Sequence, residues 1–326
     1  MVVWKLYYTT PRYHTKVVKN SIFDFLAKLN KIIYIMYRFF LILALSLPAY
    51  GGGEVSDIVK KNSEFINDFA ADSIYSFFAG PGYTEVEMRG IENKKPEFSI
   101  LLVRPLRLTE TNAFFSQLSV NHYYVRSDER ITINIGAGYR KVFEGNYILG
   151  GNIFFDADDE DNTRSSIGLE LKTSAFEAYA NYYFAISGAN KVGSNTERVL
   201  DGYDLHALGQ LPFLPWAKIH YRYFDWDAEK YSQDTDGTDL SLEMLITKNI
   251  LLEVGYTDNN ISSADGFGSV RFMYPGKAGV SMFDEFISEE AFVSAPVNYL
   301  LLSKVERQNR IILETVSEGV VIGRLD

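Results

Sequence analysis

A period of two runs through the stretch Ile131-Thr132-Ile133-Asn134-Ile135-Gly136-Ala137-Gly138-Tyr139-Arg140. Its odd positions are apolar or aromatic, and its even positions are Thr, Asn, Gly and Arg. Because successive side chains of a β-strand point to opposite sides, the pattern predicts a strand with one apolar face and one polar face. Strands of a transmembrane β-barrel have this pattern, with the polar face toward the lumen.

The same alternation recurs along the chain and predicts an all-β fold. We expect twelve strands, at residues 84–89, 97–103, 113–124, 130–142, 147–155, 165–172, 176–186, 203–211, 216–224, 239–246, 250–257 and 269–274. An open sheet edge in lipid would leave backbone groups without hydrogen-bond partners, so these strands are expected to close as an antiparallel transmembrane barrel. Aromatic residues make up 15% of the chain, which fits aromatic belts at the two membrane interfaces. An aromatic-rich soluble β-sandwich is the alternative that composition leaves open.

The connections between the predicted strands fall into two classes. Short connections are expected at 143–146, 173–175 and 247–249, and long polar connections at 156–164, 187–201, 225–238 and 258–268. Outer-membrane barrels have tight periplasmic turns and larger external loops. The alternation of the two classes therefore predicts that the N-terminus lies in the periplasm.

The N-terminal region reads as an export signal. An apolar run at 39–47 follows Tyr37-Arg38 and precedes Pro48-Ala49-Tyr50-Gly51, which is the order of a secretory signal peptide. We expect a signal at 1–49, with Met36 as an alternative start. Residues 50–82 are then expected to form a periplasmic amphipathic helix, at 54–78, and a linker. No apolar run reaches the ~18 residues that a membrane-spanning helix needs.

Charge and cysteine content exclude several function classes. Residues 1–49 carry a formal charge of +6, which leaves −16 on the rest of a chain whose total is −10. The chain after residue 49 is therefore strongly acidic, which argues against a nucleic-acid partner. The chain has no cysteine, so disulfides and thiolate metal sites are unavailable.

Six blocks of the sequence, in consistent order, resemble the β-domains of the intimins and invasins, the inverse autotransporters. The blocks are Asn134-Ile135-Gly136-Ala137-Gly138-Tyr139-Arg140, Gly150-Gly151-Asn152-Ile153-Phe154-Phe155-Asp156, Arg164-Ser165-Ser166-Ile167-Gly168-Leu169-Glu170, Asn181-Tyr182-Tyr183-Phe184 with Ser187-Gly188, Asp201-Gly202-Tyr203-Asp204, and Val305-Glu306-Arg307-Gln308-Asn309-Arg310-Ile311-Ile312-Leu313-Glu314. The resemblance implies a twelve-stranded barrel in the bacterial outer membrane, a type V secretion role and membership of a cell-adhesion family. It also implies periplasmic chaperones and the barrel-assembly machinery as partners, beside outer-membrane lipid.

The family resemblance also implies a lumenal role for the region C-terminal to the barrel. We expect the barrel at 83–276 and, at 277–326, a plug helix (296–306) in the lumen and an extended tail that includes 310–315. The sequence given ends at Asp326, and we expect no adhesive passenger domain within it. A separately encoded passenger and a host-surface partner remain open.

The polar phase of the predicted strands supplies the candidate site residues. Charged side chains expected in the lumen are Arg140, Glu170, Lys172, Lys218, Arg222, Glu243 and Arg271, and those expected on the plug are Glu306, Arg307 and Arg310. Their expected work is structural, pairing across the lumen and with the plug. The alternative is a charged ring that selects solutes in an open pore.

Catalytic and metal chemistry find little support in the sequence. The acidic stretch Asp156, Asp158, Asp159, Glu160 and Asp161 is better explained as a solvated loop than as a divalent-cation site, because a glycine and a glutamate at calcium-loop offsets are missing. His122 falls in the apolar phase, and a lipid-facing Ser-His-Asn hydrolase would need such a residue; His206 and His220 fall in the polar phase. With no hydrolase or zinc motif present, we expect no catalytic residues, metal or cofactor.

The sequence therefore predicts an outer-membrane barrel that anchors and translocates a C-terminal segment. A small passive channel of the porin type is the second hypothesis, and a surface hydrolase is the third.

Overall fold

The barrel wall consists of twelve antiparallel strands that close on themselves. The computed structural model describes residues 81–90, 96–125, 128–144, 146–230, 233–292, 295–317 and 320–322. The wall strands are β1 (Tyr83–Arg89), β2 (Glu97–Leu108), β3 (Asn112–Val125), β4 (Asp128–Phe143), β5 (Tyr147–Asp158), β6 (Thr163–Lys172), β7 (Phe176–Ala185), β10 (Gly202–Leu211), β11 (Leu214–Trp226), β12 (Thr235–Thr247), β13 (Ile250–Asn259) and β14 (Asp265–Tyr274). Strand β1 pairs with β2 on one side and with β14 on the other, so the sheet closes. The prediction of a twelve-stranded antiparallel barrel is confirmed.

Four further strands form a second sheet outside the barrel wall. They are β8 (Asn190–Val192), β9 (Asn195–Val199), β15 (Leu313–Ser317) and β16 (Val320–Ile322), in the order β16-β15-β9-β8. Strands β8 and β9 form a hairpin inserted between β7 and β10. The sequence analysis assigned these residues to a loop, so the hairpin is a finding of the structure.

Side-chain alternation in β4 places the polar set inside. Thr132, Asn134 and Arg140 are fully buried, whereas Ile135 and Tyr139 on the opposite face are 58% and 50% exposed. Strand β6 repeats the pattern with buried Glu170 and exposed Leu169. A soluble sandwich buries its apolar faces, so this arrangement is the one that a lipid solvent requires. Within the described ranges, no helix is long and apolar enough to cross a membrane.

The two ends of the barrel differ in their connections. At one end, here called the short-turn end, the strands are joined by residues 109–111, 144–146, 173–175, 212–213 and 248–249. At the other, the long-loop end, the connections include the β8–β9 hairpin and residues 227–234 between β11 and β12. The predicted signal at 1–49 and the predicted helix at 54–78 lie outside the described residues.

Residues 277–292 lie along the short-turn end. Lys277 and Met282 donate backbone N–H groups to the carbonyls of Lys248 and Leu245, at 2.6 and 2.8 Å. Ser288 then donates its backbone N–H to the Phe213 carbonyl at 2.9 Å. The chain thus crosses two turns of the rim, whose backbone carbonyls accept its N–H groups, before residues 295–312 pass through the lumen.

Gly138 allows a close approach inside the barrel, and this gives a test of the packing. A Cβ at Gly138 would lie 2.4 Å from the ring of Phe115, which is fully buried. Overpacking of this kind typically costs about 1–3 kcal/mol, so Gly138→Ala is expected to lower the thermal unfolding midpoint of the purified barrel in detergent. The matched control is Gly151→Ala, where the nearest atom is 3.7 Å away. Equal midpoints for the two variants would contradict the packing described here.

Candidate functional site

The lumen is occupied by residues 295–312, here called the lumen segment. It begins with a 3-10 helix, Val297–Leu302. The helix packs against inward-facing apolar side chains of β2 to β5 near the short-turn end. This cluster consists of Leu101, Val103, Ala113, Phe115, Val142, Ile148 and Phe154 from the wall and Val297, Leu300, Leu301 and Val305 from the lumen segment. The lumen is therefore apolar where the helix sits, and the helix is held there by burial.

The helix is shorter than the sequence analysis predicted. A helix at 296–306 was expected, whereas the structure has six residues of 3-10 helix, ending before Ser303 in the extended conformation. Side chains of the wall take the groups that a longer helix would bond internally. Arg140 donates to the carbonyls of Leu301 and Ser303, at 3.0 and 2.5 Å, and the Val305 N–H donates to Gln117 at 2.9 Å. These bonds to wall side chains replace the internal backbone bonds that a longer helix would make, so the helix ends at Leu302.

Arg140, Glu170 and Lys172 form a buried network where the helix ends. Arg140 binds Glu170 through two bonds, of 2.6 and 2.9 Å, and the Lys172 ammonium lies 3.3 Å from the same carboxylate. Lys172 also donates to the Ser303 hydroxyl at 2.8 Å. All three charged side chains are fully buried. These predicted residues therefore meet one another and contact the lumen segment through its backbone and Ser303.

Asp156 is the centre of a second network, halfway along the lumen segment. Arg307 of the segment binds both of its carboxylate oxygens, at 3.0 and 2.7 Å. Arg164 of β6 binds the same carboxylate at 2.9 and 2.8 Å, and Asn134 donates to it at 2.8 Å. Asp156 and the two arginine side chains are fully buried. The sequence analysis placed Asp156 in a solvated loop; it is instead a lumen residue of β5, because the two guanidinium groups neutralise it there.

The backbone of the extended part of the segment is hydrogen-bonded by wall side chains. The Glu306 carbonyl accepts from Asn181 at 3.0 Å and the Asn309 carbonyl accepts from Asn134 at 2.9 Å. Arg164 donates to the Gln308 carbonyl at 2.8 Å, and the Gln308 N–H donates to the Tyr183 hydroxyl at 2.7 Å. Extended backbone without a strand partner must be satisfied in some other way when it is buried. Here the inward polar side chains of β4, β6 and β7 supply that pairing.

The remaining predicted residues pair mainly within the opposite wall. Arg271 binds Glu243 at 2.8 Å and also contacts Glu253. Two other wall pairs are Lys218 with Glu177 and Arg222 with Asp239, each at 2.6 Å.

On the segment, Glu306 lies 3.6 Å from its neighbour Lys304, which also binds Glu85 of β1 at 3.0 Å. Arg310 pairs with Glu97 at the long-loop end of β2. Lys304, Arg307 and Arg310 are thus the side chains that carry ion pairs from the segment to the wall within the described residues.

Besides a small cavity at Trp216 and Lys218, two cavities among the described residues lie mainly along the wall formed by β1 and β10 to β14. One has a volume of about 380 Å³ and opens toward the short-turn end, and the other has a volume of about 150 Å³ and lies toward the long-loop end. Glu85, Arg271, Lys304 and Glu306 border both cavities. These four charged side chains therefore lie between the two cavities, and the larger cavity also borders Tyr299, Leu300 and Leu302 of the helix.

His206 and His220 face the lumen, and their ring nitrogens are 3.0 Å apart. His220, Glu243 and Glu253 bring possible ligand atoms within 4.8 Å of one another, but the Arg271 guanidinium already binds both carboxylates. His122 lies 3.9 Å from Glu129 at the long-loop end.

Part of the acidic stretch is also a structural network. Asp158 is buried and binds Arg130 at 2.6 Å, whereas Glu160 and Asp161 are exposed. The functional residues that sequence reasoning missed are Gln117, Arg130, Asn134, Asp156, Arg164 and Asn181. Asp156 and Arg164 fall in the connection predicted at 156–164. The other four stand in the polar phase of a predicted strand, so the alternation alone could have identified them as lumen-facing.

Comparisons with known proteins agree with this architecture. A family model described as the inverse autotransporter β-domain matches residues 55–294. Intimin from Escherichia coli O157:H7 is 26% identical over 266 residues, which cover 77% of this chain and 27% of intimin. The inverse autotransporter adhesin YeeJ from Escherichia coli K12 is 33% identical over 149 residues, which cover 43% of this chain and 6% of YeeJ. The chain thus spans about a quarter of the length of the intimin that it matches.

A solved structure supports the same assignment. It is described as "Unveiling the Mechanism Behind the in-meso Crystallization of Membrane Proteins", and it aligns with a TM-score of 0.57 at 25% identity, covering 72% of this chain and 99% of that one. The family model covers more than half of the chain, and the barrel, its polar lumen and its apolar outer face are those of an outer-membrane protein. The chain belongs to the inverse autotransporter β-domain family, a group of bacterial outer-membrane barrels that are not enzymes.

Proposed function

We propose that this barrel anchors a polypeptide in the outer membrane and carries its C-terminal segment through the lumen to the cell surface. In this proposal the short-turn end faces the periplasm and the long-loop end faces outward, as the turn asymmetry of outer-membrane barrels suggests. The signal at 1–49 and the helix at 54–78 would then serve export and the periplasmic side. A passenger C-terminal to the lumen segment, in a longer chain or separately encoded, would be displayed outside.

One observation carries the proposal: residues 297–312 run through the lumen from the short-turn end to the long-loop end. The carbonyls of Leu301 and Asn309, near the two ends of this course, accept hydrogen bonds from Arg140 and Asn134 of one strand, β4. Most of these bonds go to backbone atoms of the segment, so they would tolerate different side chains passing through. We propose that Arg140, Glu170, Lys172 and Arg307 are structural residues that position the segment.

The outward face defines the first partner. Large apolar side chains such as Ile153 and Leu169 are 62% and 69% exposed on that face, and an outer-membrane barrel presents them to lipid. Periplasmic chaperones and the barrel-assembly machinery are proposed as partners by family membership alone.

A passive channel is the second candidate, and the two cavities favour it. Both cavities border the group of Glu85, Arg271, Lys304 and Glu306, which lies between them. If this group moved, ions would have a path beside the lumen segment. The group would then act as the charged constriction of a pore.

Single-channel conductance distinguishes the two functions. The full-length protein is expected to show low conductance because the lumen segment fills the pore, and a variant truncated after Gly276 is expected to show a much larger, steady conductance. A variant truncated after Ile322 keeps the segment and serves as the control; it should remain closed. Large steady conductance in the full-length protein would contradict the plugged translocator and favour the channel, and a closed pore after Gly276 truncation would contradict the lumen as an export path.

A further inference from the structure

We infer that the hairpin formed by β8 and β9 is a binding site for extended polypeptide, which captures the exiting chain at the outer mouth by strand pairing and holds it against return. The inference rests on the proposed export function and adds a retention step to it. Strand β15 occupies the site in this structure, in antiparallel register from Leu313↔Val199 to Ser317↔Asn195.

The pairing is made by backbone groups. The Leu200 N–H donates to the Ile312 carbonyl at 3.0 Å, so this pair is of the hydrogen-bonded kind. Because hydrogen-bonded and non-hydrogen-bonded pairs alternate along an antiparallel ladder, Arg198 and Thr196 are the next residues of β9 whose N–H and C=O groups face β15. Recognition by main-chain bonds at a sheet edge is largely independent of the sequence of the bound strand.

The edge is built by the barrel and not by the strand that occupies it. Glu197 of β9 is buried and accepts two bonds from Arg130, both of 2.9 Å, and one from Asn162 at 2.9 Å. Asn190 of β8 donates to the Asn162 side chain at 3.0 Å. These contacts fix the hairpin to the rim through groups that lie outside residues 311–317. An edge anchored in this way is present before any chain arrives.

The hairpin turn is also preorganised. Gly193 has φ of 59° at the first turn position, whereas Ser194 is not among the described residues with positive φ. A positive φ at only the first of the two turn residues is the φ pattern of a type II′ turn, whose twist suits two paired strands. Before β15 pairs with it, the hairpin would therefore present a formed edge, and an unpaired strand edge readily accepts another strand.

An apolar collar directs the chain to that edge. Ile312 packs among Tyr183, Leu200, Phe224 and Trp226 at the mouth, and these side chains form one buried cluster. Ile311 and Leu313 pack against Val199 of β9 itself. On the far side, the Lys230 N–H donates to both oxygens of the Glu314 carboxylate at 3.0 Å. The chain therefore leaves the lumen through this apolar cluster and pairs with the β9 edge directly after it.

Retention follows from the ladder. A chain paired with β9 slides back only if its bonds to Thr196 and Arg198 break together, because any shift along the edge moves the paired N–H and C=O groups out of register. The hairpin thus stabilises the exported state without requiring a particular passenger.

The test uses the full-length chain, which has no native cysteine, with Val316→Cys as a reporter. End-point labelling of intact cells with a membrane-impermeant maleimide is expected to modify it. Adding Thr196→Pro removes a donor from the β9 edge and is expected to reduce labelling at least about threefold, whereas Ser194→Pro, which adds the same ring in the turn, is expected to leave it unchanged. Unchanged labelling in the Thr196→Pro variant overturns capture. No labelling of Val316→Cys alone overturns the export function itself.

A second measurement does not depend on the folding of the proline variant. The pair Thr196→Cys and Val316→Cys lies directly opposed and is expected to form a disulfide on mild oxidation. The control pair Thr196→Cys with Thr315→Cys places the second thiol on the other face and is expected to cross-link at least about tenfold less. Changing the sequence of the bound strand with Leu313→Val and Glu314→Thr is expected to change the yield of the first cross-link by less than about twofold. Its loss would show recognition of a particular sequence and overturn the inference.

Discussion

Asp156→Asn is expected to release the lumen segment from the barrel wall while the barrel itself stays folded. The substitution keeps the shape of the side chain but removes the charge that Arg164 and Arg307 share. Removing one partner of a buried ion pair typically costs about 3–5 kcal/mol. Undocking of the segment admits water to both guanidinium groups, so the cost is relieved by release of the segment. A shift of about 3 kcal/mol changes the ratio of docked to released protein by roughly 150-fold.

Planar-bilayer recording measures this release as time spent in an open, conducting state. Asp161→Asn is the matched control, because Asp161 belongs to the same acidic stretch but is exposed. We expect the Asp161→Asn protein to stay closed like the parent. If the Asp156→Asn protein were equally closed, Asp156 would not hold the segment in place.

The strand faces could be predicted from sequence because each wall strand separates two different media. In β4, Ile135 and Tyr139 lie on the outer face, whereas Asn134 and Arg140 lie on the lumen face. Apolar and polar residues therefore alternate in the sequence with a period of two. The same rule identified the inward position of Glu170 on β6. Closure of the barrel could also be predicted, because an open sheet edge in lipid leaves backbone groups without hydrogen-bond partners. That prediction required no knowledge of contacts between distant residues.

In the apolar part of the lumen, the inward-facing residues do not follow the rule that polar residues face inward. The cause is the 3-10 helix, which lies much later in the sequence. Leu101, Val103 and Phe115 point inward but are apolar, because Leu300 and Leu301 of the 3-10 helix pack against them. A signal was present in the sequence. Apolar residues occupy both phases of β2 from Ile100 to Val103, which indicates that something other than water fills that part of the lumen.

Asp156 and the β8–β9 hairpin could not be assigned from local sequence. An aspartate that opens an acidic stretch looks like the start of a solvated loop, and the lumen position of Asp156 depends on Arg307, 151 residues away, together with Arg164. Residues 190–199 are mostly polar and show little alternation. Their order comes from Glu197, which is buried against Arg130, 67 residues away, and β15 from the end of the chain pairs with the edge thus formed. Such long-range pairs are invisible to a window of neighbouring residues.

Arg140→Met is expected to free the first half of the lumen segment. The guanidinium joins Glu170 to the backbone at the point where the helix ends, and it donates to the carbonyls of Leu301, Ser303 and Lys304. Methionine keeps much of the volume but none of the donors. Glu170, which is fully buried, would be left with Lys172 as its ion-pair partner. We expect a loss of at least about 3 kcal/mol from the docked state, the lower end for breaking a buried ion pair.

Hydrogen exchange resolves where the protection is lost. In Arg140→Met, amides of residues 300–305 should exchange at least about 100-fold faster, since each 1.4 kcal/mol is a factor of ten in the opening equilibrium, while amides of β4 and β6 stay protected. Lys141→Met is the matched control: the neighbouring side chain is exposed on the outer face, and its loss should leave residues 300–305 unchanged. Asp156→Asn should instead act first on residues 306–309, whose bonds surround Arg307 and Arg164. If both substitutions exposed the whole segment equally, the Arg140 network and the Asp156 network would hold the segment as one cooperative unit. The interpretation that each network holds its own half of the segment would then be wrong.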